Sequence, residues 1–422
     1  MRGRYWIETL GCPKNQVDSD KLGGTLVADG LVPASSPDQA DVVVVNTCAF
    51  IEAARRESID TVLELSDRRK DGARLVVTGC MAERYGAELA EAIPEADQVV
   101  GFGVPVSLSA TRAAPGDVPR MDLLNLPRPR AAAPWAYVKV AEGCDRTCGF
   151  CAIPSFRGPQ RSRTPASILA EVDALGAQEI VLVAQDLASY GKDRPELGAG
   201  SIVGLVRAVA DRVERVRLLY LYPSDLSDGL ISVIEATGVH YFDLSLQHVS
   251  KRHLRRMRRW GDGERFLARI GEIRARMPDA AFRSNFIVGY PGETEADHDQ
   301  LLAFVEAAQL DWCGFFAFSP EEGTHAAGLD GVVDPDLVQA RLGELTALQD
   351  GITEVRRAAL VGTVTTVLVD APGVARSHRE APEIDGVINV PRSLPAGSWA
   401  TVEITAASGP DLEARVHCAV GA

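Results

Sequence analysis

Hydrophobic and polar positions follow two different periods along the N-terminal quarter of the chain. Three short runs rich in Val, Ile and Leu predict buried β-strands at Tyr5–Leu10, Asp41–Val45 and Arg74–Val77. The intervening stretches Gln16–Ala28 and Glu52–Arg69 are typical of helices, and the second carries its apolar residues on one face. Strand and helix therefore alternate at the spacing of a βαβ unit, which predicts an N-terminal doubly wound parallel α/β sheet.

The same alternation returns after a proline-rich interval and predicts a second sheet. The six predicted strands are Trp135–Ala141, Glu179–Asp186, Arg217–Tyr222, Tyr241–Leu246, Phe282–Gly289 and Trp312–Ser319. Six parallel strands are too few to close the usual eight-stranded barrel, so we expect an open, partial (β/α)6 barrel with its chemistry at the carboxyl ends of the strands. A long amphipathic helix, about Asp336–Leu360, then leads away from the barrel.

The tail changes character again. Short β-rich runs alternate there with Gly, Pro and Ser, at Val364–Val369, Gly386–Val390, Trp399–Ile404 and Leu412–Val416. This pattern predicts a small five-stranded β-barrel of the OB type. We therefore divide the chain into an N-terminal domain (1–104), a linker (105–132), the partial barrel (133–355) and a C-terminal domain (356–422).

The charge of the tail bears on its partner. From residue 361 onward there are seven acidic and four basic residues, a net charge of −3. That sign opposes phosphate binding and suits a basic protein. Glu380, Glu383 and Asp385 cluster in one loop, and we expect them to steer such a partner.

Composition narrows the class of protein. The chain has 422 residues, 46% of them hydrophobic, and a net charge of −14, which is a poor match to a nucleic-acid binder. No apolar run approaches the roughly 18 residues of a membrane span, and no targeting peptide precedes the first strand. We therefore expect a cytoplasmic enzyme with no membrane partner.

Six of the eight cysteines fall into two groups of three. The tight group is Cys144, Cys148 and Cys151, in one loop after the first barrel strand. Such a loop can wrap one small iron–sulfur cluster, and since no fourth cysteine lies nearby, one iron stays open. An open iron turns an electron carrier into a catalyst. The alternative is a structural zinc knuckle with a distant fourth ligand.

The spread group is Cys12, Cys48 and Cys80, each one to three residues past the end of a predicted strand. Parallel strands end at one edge of a sheet, where ligands bind, so these cysteines are expected to converge on a second cluster. The alternative is three separate buried cysteines. Disulfides are not expected, because cluster ligation needs reduced thiols. Cys313 and Cys418 are interpreted as small apolar residues.

The tight loop, with Phe150 before its last cysteine, resembles the radical S-adenosylmethionine (SAM) superfamily. In that superfamily the three cysteines hold a [4Fe–4S] cluster, and SAM chelates the fourth iron through its amino and carboxylate groups. The turn containing Gly289 and Gly292 resembles the SAM-binding loop of the family. Gln185, at the end of the second barrel strand, is a further candidate SAM contact.

Almost the whole chain resembles the methylthiotransferase family of radical SAM enzymes, with the terminal barrel similar to a TRAM domain. Pro13 and Lys14 stand where the branch that modifies transfer RNA usually has Gln-Met. Four segments resemble the branch that modifies an aspartate of small-subunit ribosomal protein twelve, namely Leu10–Ser19, Leu219–Pro223, Asp243–His248 and Ala381–Asp385. The sequence differs from the usual residues of the family at Gln16, Asp20 and Ser245, and none of these differences affects the six cysteines.

This resemblance implies methylthiolation of the aspartate β-carbon with two [4Fe–4S] clusters and two SAM molecules. One SAM would donate the methyl group, and the other would yield a 5′-deoxyadenosyl radical at the tight cysteine group. The spread group would present the sulfur. An electron donor such as flavodoxin or ferredoxin is implied as a partner.

Two other functions stay open. A transfer-RNA methylthiotransferase would use the same machinery, and the basic run Lys251–Arg259 favours it. An iron–sulfur redox sensor would not explain the barrel. Three arginines after the tight loop are candidates for holding a substrate or SAM carboxylate, namely Arg157, Arg161 and Arg163. His248 and His378 have no visible metal partners and are interpreted as structural.

Overall fold

The N-terminal domain is a parallel five-stranded sheet, as the sequence pattern predicts. The computed structural model describes residues 3–106, 122–198 and 200–417. The strands are β1 (Arg4–Thr9), β2 (Val32–Pro33), β3 (Val42–Thr47), β4 (Arg74–Gly79) and β5 (Gln98–Val99), and the helices are α1 (Pro13–Ala28), α2 (Glu52–Arg68) and α3 (Cys80–Ala92). The spatial order is β2-β1-β3-β4-β5, with every pair parallel. The central strand β3 is buried along its whole length, which explains its unbroken apolar run.

The second domain is an open barrel of six main strands. Its strands are β6 (Trp135–Lys139), β7 (Ala141–Glu142), β8 (Arg161–Ser162), β9 (Glu179–Val183), β10 (Arg215–Leu218), β11 (Tyr241–Gln247), β12 (Ala281–Val288) and β13 (Trp312–Ala317). The helices are α4 (Ile153–Arg157), α5 (Pro165–Leu175), α6 (Ser201–Ala210), α7 (Asp228–Thr237), α8 (Lys251–Arg256), α9 (Gly263–Arg276), α10 (Glu295–Ala308) and α11 (Pro335–Ala358). The six long strands form two parallel three-stranded sheets, in the orders β10-β9-β6 and β11-β12-β13, and β7 pairs with β8. A parallel bridge between Leu221 and Leu244 joins the two sheets, so the partial barrel is confirmed.

The C-terminal domain is a closed five-stranded barrel. Its strands are β14 (Val364–Ala371), β15 (Val374–Arg376), β16 (Ile388–Asn389), β17 (Trp399–Ser408) and β18 (Asp411–Val416), in the order β14-β15-β16-β18-β17. The predicted OB-like architecture is confirmed. Strand β15 has no signal in the sequence, because three residues directly after a turn give too short a pattern. Cys418 and much of the predicted linker, residues 107–121, lie outside the described residues.

The N-terminal sheet docks on the mouth of the partial barrel, where the strands end. Val17, on α1, is fully buried in the cluster of apolar residues that fills the barrel interior. Next to it, Asp18 forms an ion pair with Lys139, the last residue of β6. Arg84 on α3 pairs with Glu321, beyond β13, at 2.7 Å. These contacts bring the cysteine edge of the sheet against the carboxyl ends of the barrel strands.

The C-terminal domain closes the opposite end of the partial barrel with one loop, residues 377–385, which we call the plug loop. The Tyr137 hydroxyl donates to the carbonyl of Pro382 at 2.8 Å, and the indole N–H of Trp312 donates to that of Arg379 at 2.9 Å. Trp312 begins β13, so the plug loop enters at the amino ends of the strands. The barrel is therefore open for chemistry at one end only.

The plug loop corrects the expectation that its acids steer a partner. The Glu380 side chain is fully buried and pairs with Arg357 on α11. The buried Asp385 carboxylate accepts a hydrogen bond from the Tyr241 hydroxyl at 2.6 Å. Only Glu383 is exposed. The prediction that Glu380 and Asp385 steer a protein partner is wrong, because both side chains form internal contacts that attach the C-terminal domain to the barrel.

None of the helices in the described residues is both long and apolar enough to cross a membrane. Six short 3₁₀ turns complete the described secondary structure, at Pro37–Gln39, Leu123–Asn125, Leu187–Ser189, Pro195–Leu197, Pro223–Asp225 and His325–Gly328.

Candidate active site

The spread cysteines occupy three neighbouring strand ends, as predicted. Cys12 precedes α1, Cys48 directly follows β3, and Cys80 directly follows β4 and begins α3. Strands β1, β3 and β4 are adjacent, and the chain reverses its order between β1 and β3, the place where sheets of this order bind ligands. Gly11 allows the closest approach: its φ is +94°, and a Cβ there would lie 2.9 Å from the Cβ of Cys48.

Asn15 lies beside all three cysteines of this group, since its Oδ1 accepts a hydrogen bond from the Cys80 thiol at 3.5 Å and its Nδ2 donates to the carbonyl of Thr47, next to Cys48, at 3.2 Å. Burial, with smaller contributions from the neighbouring Cys12 and Cys80, raises the pKa of Cys48 to about 12. Burial also raises the pKa of Cys80, although Arg157 opposes it. For Cys12, burial is outweighed by Lys14, Arg157 and two backbone N–H groups, and the pKa falls below its ordinary value. Cys12 is therefore the thiol of this group that ionises most readily.

The tight group lies in the loop between β7 and α4, which backbone hydrogen bonds hold against the barrel. The Cys144 N–H donates to the Gly158 carbonyl at 3.1 Å, and the Gly149 N–H donates to that of Met257 at 2.8 Å. Burial, with a smaller contribution from Cys148, raises the pKa of Cys144 to about 11 and that of Cys151 to about 12. The three cysteines thus lie in one short loop that is held at the barrel.

Each group supplies three thiols, the number that ligates three irons of a [4Fe–4S] cluster and leaves the fourth iron open. Within residues 3–106, 122–198 and 200–417, no three His, Cys, Asp or Glu side chains converge closely enough to hold one metal ion.

A buried arginine of the barrel connects the two cysteine groups. Arg157, at the end of α4, donates to the Sγ of Cys80 at 3.0 Å and to the Oδ1 of Asn15 at 2.8 Å. It also pairs with Glu142 at 2.8 Å and with Asp18 at 3.3 Å. Arg157 was expected to hold a ligand carboxylate, but its guanidinium is already engaged with carboxylates of the protein.

Glu142 carries this network to the tight loop. It accepts hydrogen bonds from Lys139 and from the Nε2 of Gln185, at 2.6 and 2.8 Å. Burial would raise the pKa of Glu142, but Arg157 and Lys139 outweigh it and hold that pKa well below its ordinary value. The Oε1 of Gln185 is buried at the barrel mouth and has no hydrogen-bond partner among the described residues. The contact between Gln185 and SAM stays a prediction.

The turn after β12 has the close backbone geometry expected of it. Gly289 and Gly292 both have a φ of +80°, which favours glycine. The Gly289 N–H donates to the carboxylate of Glu293 at 2.8 Å, and Arg341 pairs with that carboxylate at 2.9 Å. Phe150 packs at the edge of the barrel core. The turn is therefore held rigidly beside the barrel mouth.

Three of the six Lys and Arg side chains in the basic run Lys251–Arg259 contact other residues of the protein. Arg252 pairs with Asp297, and Arg256 donates to backbone carbonyls and to an aspartate. Arg259 donates to the Sγ of Cys148 at 3.2 Å, a contact that the sequence did not indicate. These three arginines stabilise the barrel mouth and the tight loop, and the other three basic side chains of the run are exposed.

The remaining candidates have structural surroundings. Arg163 is buried and pairs with a glutamate, and Arg161 is exposed and pairs with Asp122. Burial lowers the pKa of His248 to about 3 and that of His378 to about 4. Cys313 lies within β13, where burial raises its pKa.

Comparison with known proteins covers all three domains. Residues 4–101 match a family described as uncharacterized protein family UPF0004, residues 138–305 match the radical SAM superfamily, and residues 361–416 match the TRAM domain. Two curated relatives bear the name ribosomal protein uS12 methylthiotransferase RimO. The one from Saccharopolyspora erythraea is 43% identical over 98% of this chain and 95% of its own length. The one from Moorella thermoacetica is 44% identical over 95% of this chain and 96% of its own.

The chain belongs to the family of ribosomal protein uS12 methylthiotransferases. It is therefore a radical SAM enzyme of the methylthiotransferase type, and membership of that superfamily carries the use of SAM and an iron–sulfur cluster. Among solved structures, the radical SAM methyltransferase TsrM from Kitasatospora setae has a TM-score of 0.51 at 14% identity and covers 77% of each chain. That likeness shows the shared fold.

Proposed function

We propose that this uS12 methylthiotransferase homologue transfers a methylthio group to the β-carbon of an aspartate in ribosomal protein uS12. Relatives that match almost the full length carry that substrate in their names. In this proposal the N-terminal domain (1–104) bears the sulfur, the barrel (133–355) generates the radical, and the linker (105–132) joins them. The C-terminal domain (356–422) closes the barrel floor. A small electron-transfer protein such as flavodoxin or ferredoxin supplies electrons.

The observation that carries the proposal is the shared junction of the two cysteine groups. Arg157 leaves the barrel segment that follows the tight loop and reaches Cys80 Sγ in the N-terminal domain at 3.0 Å. Through Glu142 the same network reaches Gln185 at the barrel mouth. Two half-reactions that must meet at one carbon atom need such a common site.

The reaction requires a radical, since no side-chain base removes a hydrogen from an unactivated carbon at useful cost. Cys144, Cys148 and Cys151 would hold a [4Fe–4S] cluster, which would supply the electron for cleavage of SAM. Cys12, Cys48 and Cys80 would hold a second cluster, which would supply the sulfur, and a second SAM would supply the methyl group.

The chain's own residues prepare these two positions. Burial disfavours the thiolate of most of the ligating cysteines, so nearby guanidinium groups are needed to favour it. Arg157 lies at Cys80 and Arg259 at Cys148, each within hydrogen-bond distance of the sulfur. The unpartnered Oε1 of Gln185 supports a role in binding SAM.

Cysteine variants of the reconstituted, anaerobic protein test the division of labour. Wild type should hold about eight irons per chain, as two cubanes require. Replacing Cys144, Cys148 and Cys151 together with Ala should remove about half of the iron and abolish 5′-deoxyadenosine formation. Cys48→Ala should stop thiomethylation of uS12 while 5′-deoxyadenosine still forms. Cys313→Ala is the matched control, because Cys313 lies outside both groups, and it should retain both activities.

Two results would contradict the proposal. Full iron retention in the triple variant would show that Cys144, Cys148 and Cys151 do not hold a cluster. Normal thiomethylation by Cys48→Ala would show that the spread group does not supply the sulfur. Parallel incubation with transfer RNA tests the remaining candidate substrate, and modification of RNA in place of uS12 would redirect the assignment.

A further inference from the structure

Three lysine side chains are almost completely buried near the junction of the N-terminal domain and the barrel. Lys21 and Lys139 are fully buried, and both form ion pairs with carboxylates, at 3.3 and 2.6 Å. Lys14 is 8% exposed. Within the described residues it forms no ion pair and no side-chain hydrogen bond, and its Nζ lies 3.3 Å from the centre of the Tyr220 ring.

A mostly enclosed ammonium without a carboxylate partner is costly, because the charge has lost part of its water. The cation–π contact with the Tyr220 ring offsets only part of that desolvation cost. The nearby carboxylate of Asp243 is engaged elsewhere, since it accepts from the Tyr220 N–H at 2.9 Å and pairs with Arg283 at 3.4 Å. The chain therefore leaves the charge of Lys14 to be balanced by a bound anion.

The position of Lys14 identifies which site that anion occupies. Lys14 lies on the first turn of α1, two residues after Cys12. Tyr220 follows β10 at the barrel mouth and has a φ of +65°, a strained conformation for an aromatic residue. The ammonium thus stands where the Cys12 end of α1 meets the barrel mouth, the junction that a substrate residue would enter.

We propose that Lys14 binds the side-chain carboxylate of the substrate aspartate. The inference rests on the proposed function, which makes an aspartate the residue that enters this junction. A carboxylate held by Lys14 places the adjacent β-carbon on the Cys12 side of the site. Lys14 is then a specificity-determining residue that selects an acidic side chain.

A comparison of two substrates and matched variants tests this role. Binding of uS12 and of its Asp→Asn form is measured with anaerobic, reconstituted wild type, Lys14→Met, Lys14→Arg and the control Lys70→Met. Lys70 lies before β4, at the sheet edge opposite the cysteines. Wild type and Lys70→Met should prefer the aspartate form by roughly 10- to 100-fold, the usual strength of a hydrogen bond to a charged group. Lys14→Met should lose that preference, and Lys14→Arg should keep part of it.

Iron content and SAM affinity distinguish the other possible anions. If Lys14→Met keeps the preference but loses SAM affinity, the carboxylate belongs to SAM and the proposal is overturned. If Lys14→Met and the similarly sized Lys14→Gln both lose iron, Lys14 is a counter-ion of the Cys12 site, which also overturns it. If Lys14→Met and Lys14→Gln still prefer the aspartate form of uS12 as strongly as wild type does, the proposal is also overturned. Wild type that neither binds nor modifies uS12 would instead show that the proposed function is wrong.

Discussion

Replacing Arg157 with Met should destabilise the junction of the N-terminal domain and the barrel and weaken the Cys12, Cys48 and Cys80 site. The Arg157 side chain is 3% exposed, and its guanidinium contacts Cys80, Asn15, Glu142 and Asp18. Its removal leaves two buried carboxylates that share one lysine.

Breaking a buried ion pair from one side costs about 3–5 kcal/mol. Lys139 and Gln185 still donate hydrogen bonds to Glu142 in the variant, so we expect a loss of unfolding free energy in the lower part of that range, about 3 kcal/mol. For a chain of 422 residues that corresponds to a fall in the unfolding temperature on the order of 3–4 °C. Iron bound by the N-terminal cysteine group should fall as well, because the positive charge beside Cys80 is gone.

The assay is thermal unfolding of reconstituted protein under anaerobic conditions, with iron counted in parallel. The matched control is Arg161→Met, four positions along the same segment, whose side chain is 58% exposed and paired with Asp122. A surface change of this kind should stay within about 0.5 kcal/mol of wild type. If Arg157→Met behaves like the control in both unfolding and iron content, the buried network does not hold the two sites together.

Three further predictions concern the supports of the site. Glu380→Gln should lower the unfolding stability by about 1–3 kcal/mol, because a buried charged hydrogen bond is lost, while exposed Glu413→Gln should not; equal unfolding of the two would contradict the plug-loop assignment. Burial would raise the pKa of Glu179, but neighbouring arginines outweigh it and lower that pKa to about 2. The ionised Glu179 therefore contributes its full stabilisation of the folded state above the ordinary pKa of a glutamate, and this contribution is lost as the pH falls toward 2. The stability advantage of wild type over Glu179→Gln, followed by denaturant unfolding, should therefore narrow below about pH 4.5, and a constant difference would refute this. Gly289→Ala should weaken SAM binding in equilibrium dialysis and cost roughly 1 kcal/mol or more, since the new methyl group meets Val338 at a φ of +80°; unaltered affinity would exclude the turn from the SAM site.

The convergence of the cysteines could be predicted from the sequence because it follows from sheet geometry. Cys12, Cys48 and Cys80 each follow a Val- or Ile-rich run, and parallel strands necessarily end on one edge. The tight loop can be predicted from the local spacing of its cysteines together with Phe150 before the last of them. Both signals lie within one element or between equivalent elements, where periodicity carries the information.

Contacts between domains could not be predicted in this way. The hydrogen bond from Arg157 to Cys80 and the approach of Lys14 to Tyr220 depend on how two domains dock, and no local pattern encodes docking. The prediction that the acids of the plug loop are exposed was wrong for the same reason. Glu380 has the composition of an exposed loop residue, but insertion into the barrel floor buries it fully.

Mass spectrometry of ribosomal protein uS12 gives the most direct test of the proposed function. Reconstituted protein, SAM, a sulfide source and a one-electron reductant are incubated with uS12 and, separately, with transfer RNA under anaerobic conditions. We expect one aspartate of uS12 to gain the mass of a methylthio group in place of one hydrogen, and transfer RNA to stay unmodified. A modified RNA with unmodified uS12, from protein that holds both clusters, would contradict the proposed function.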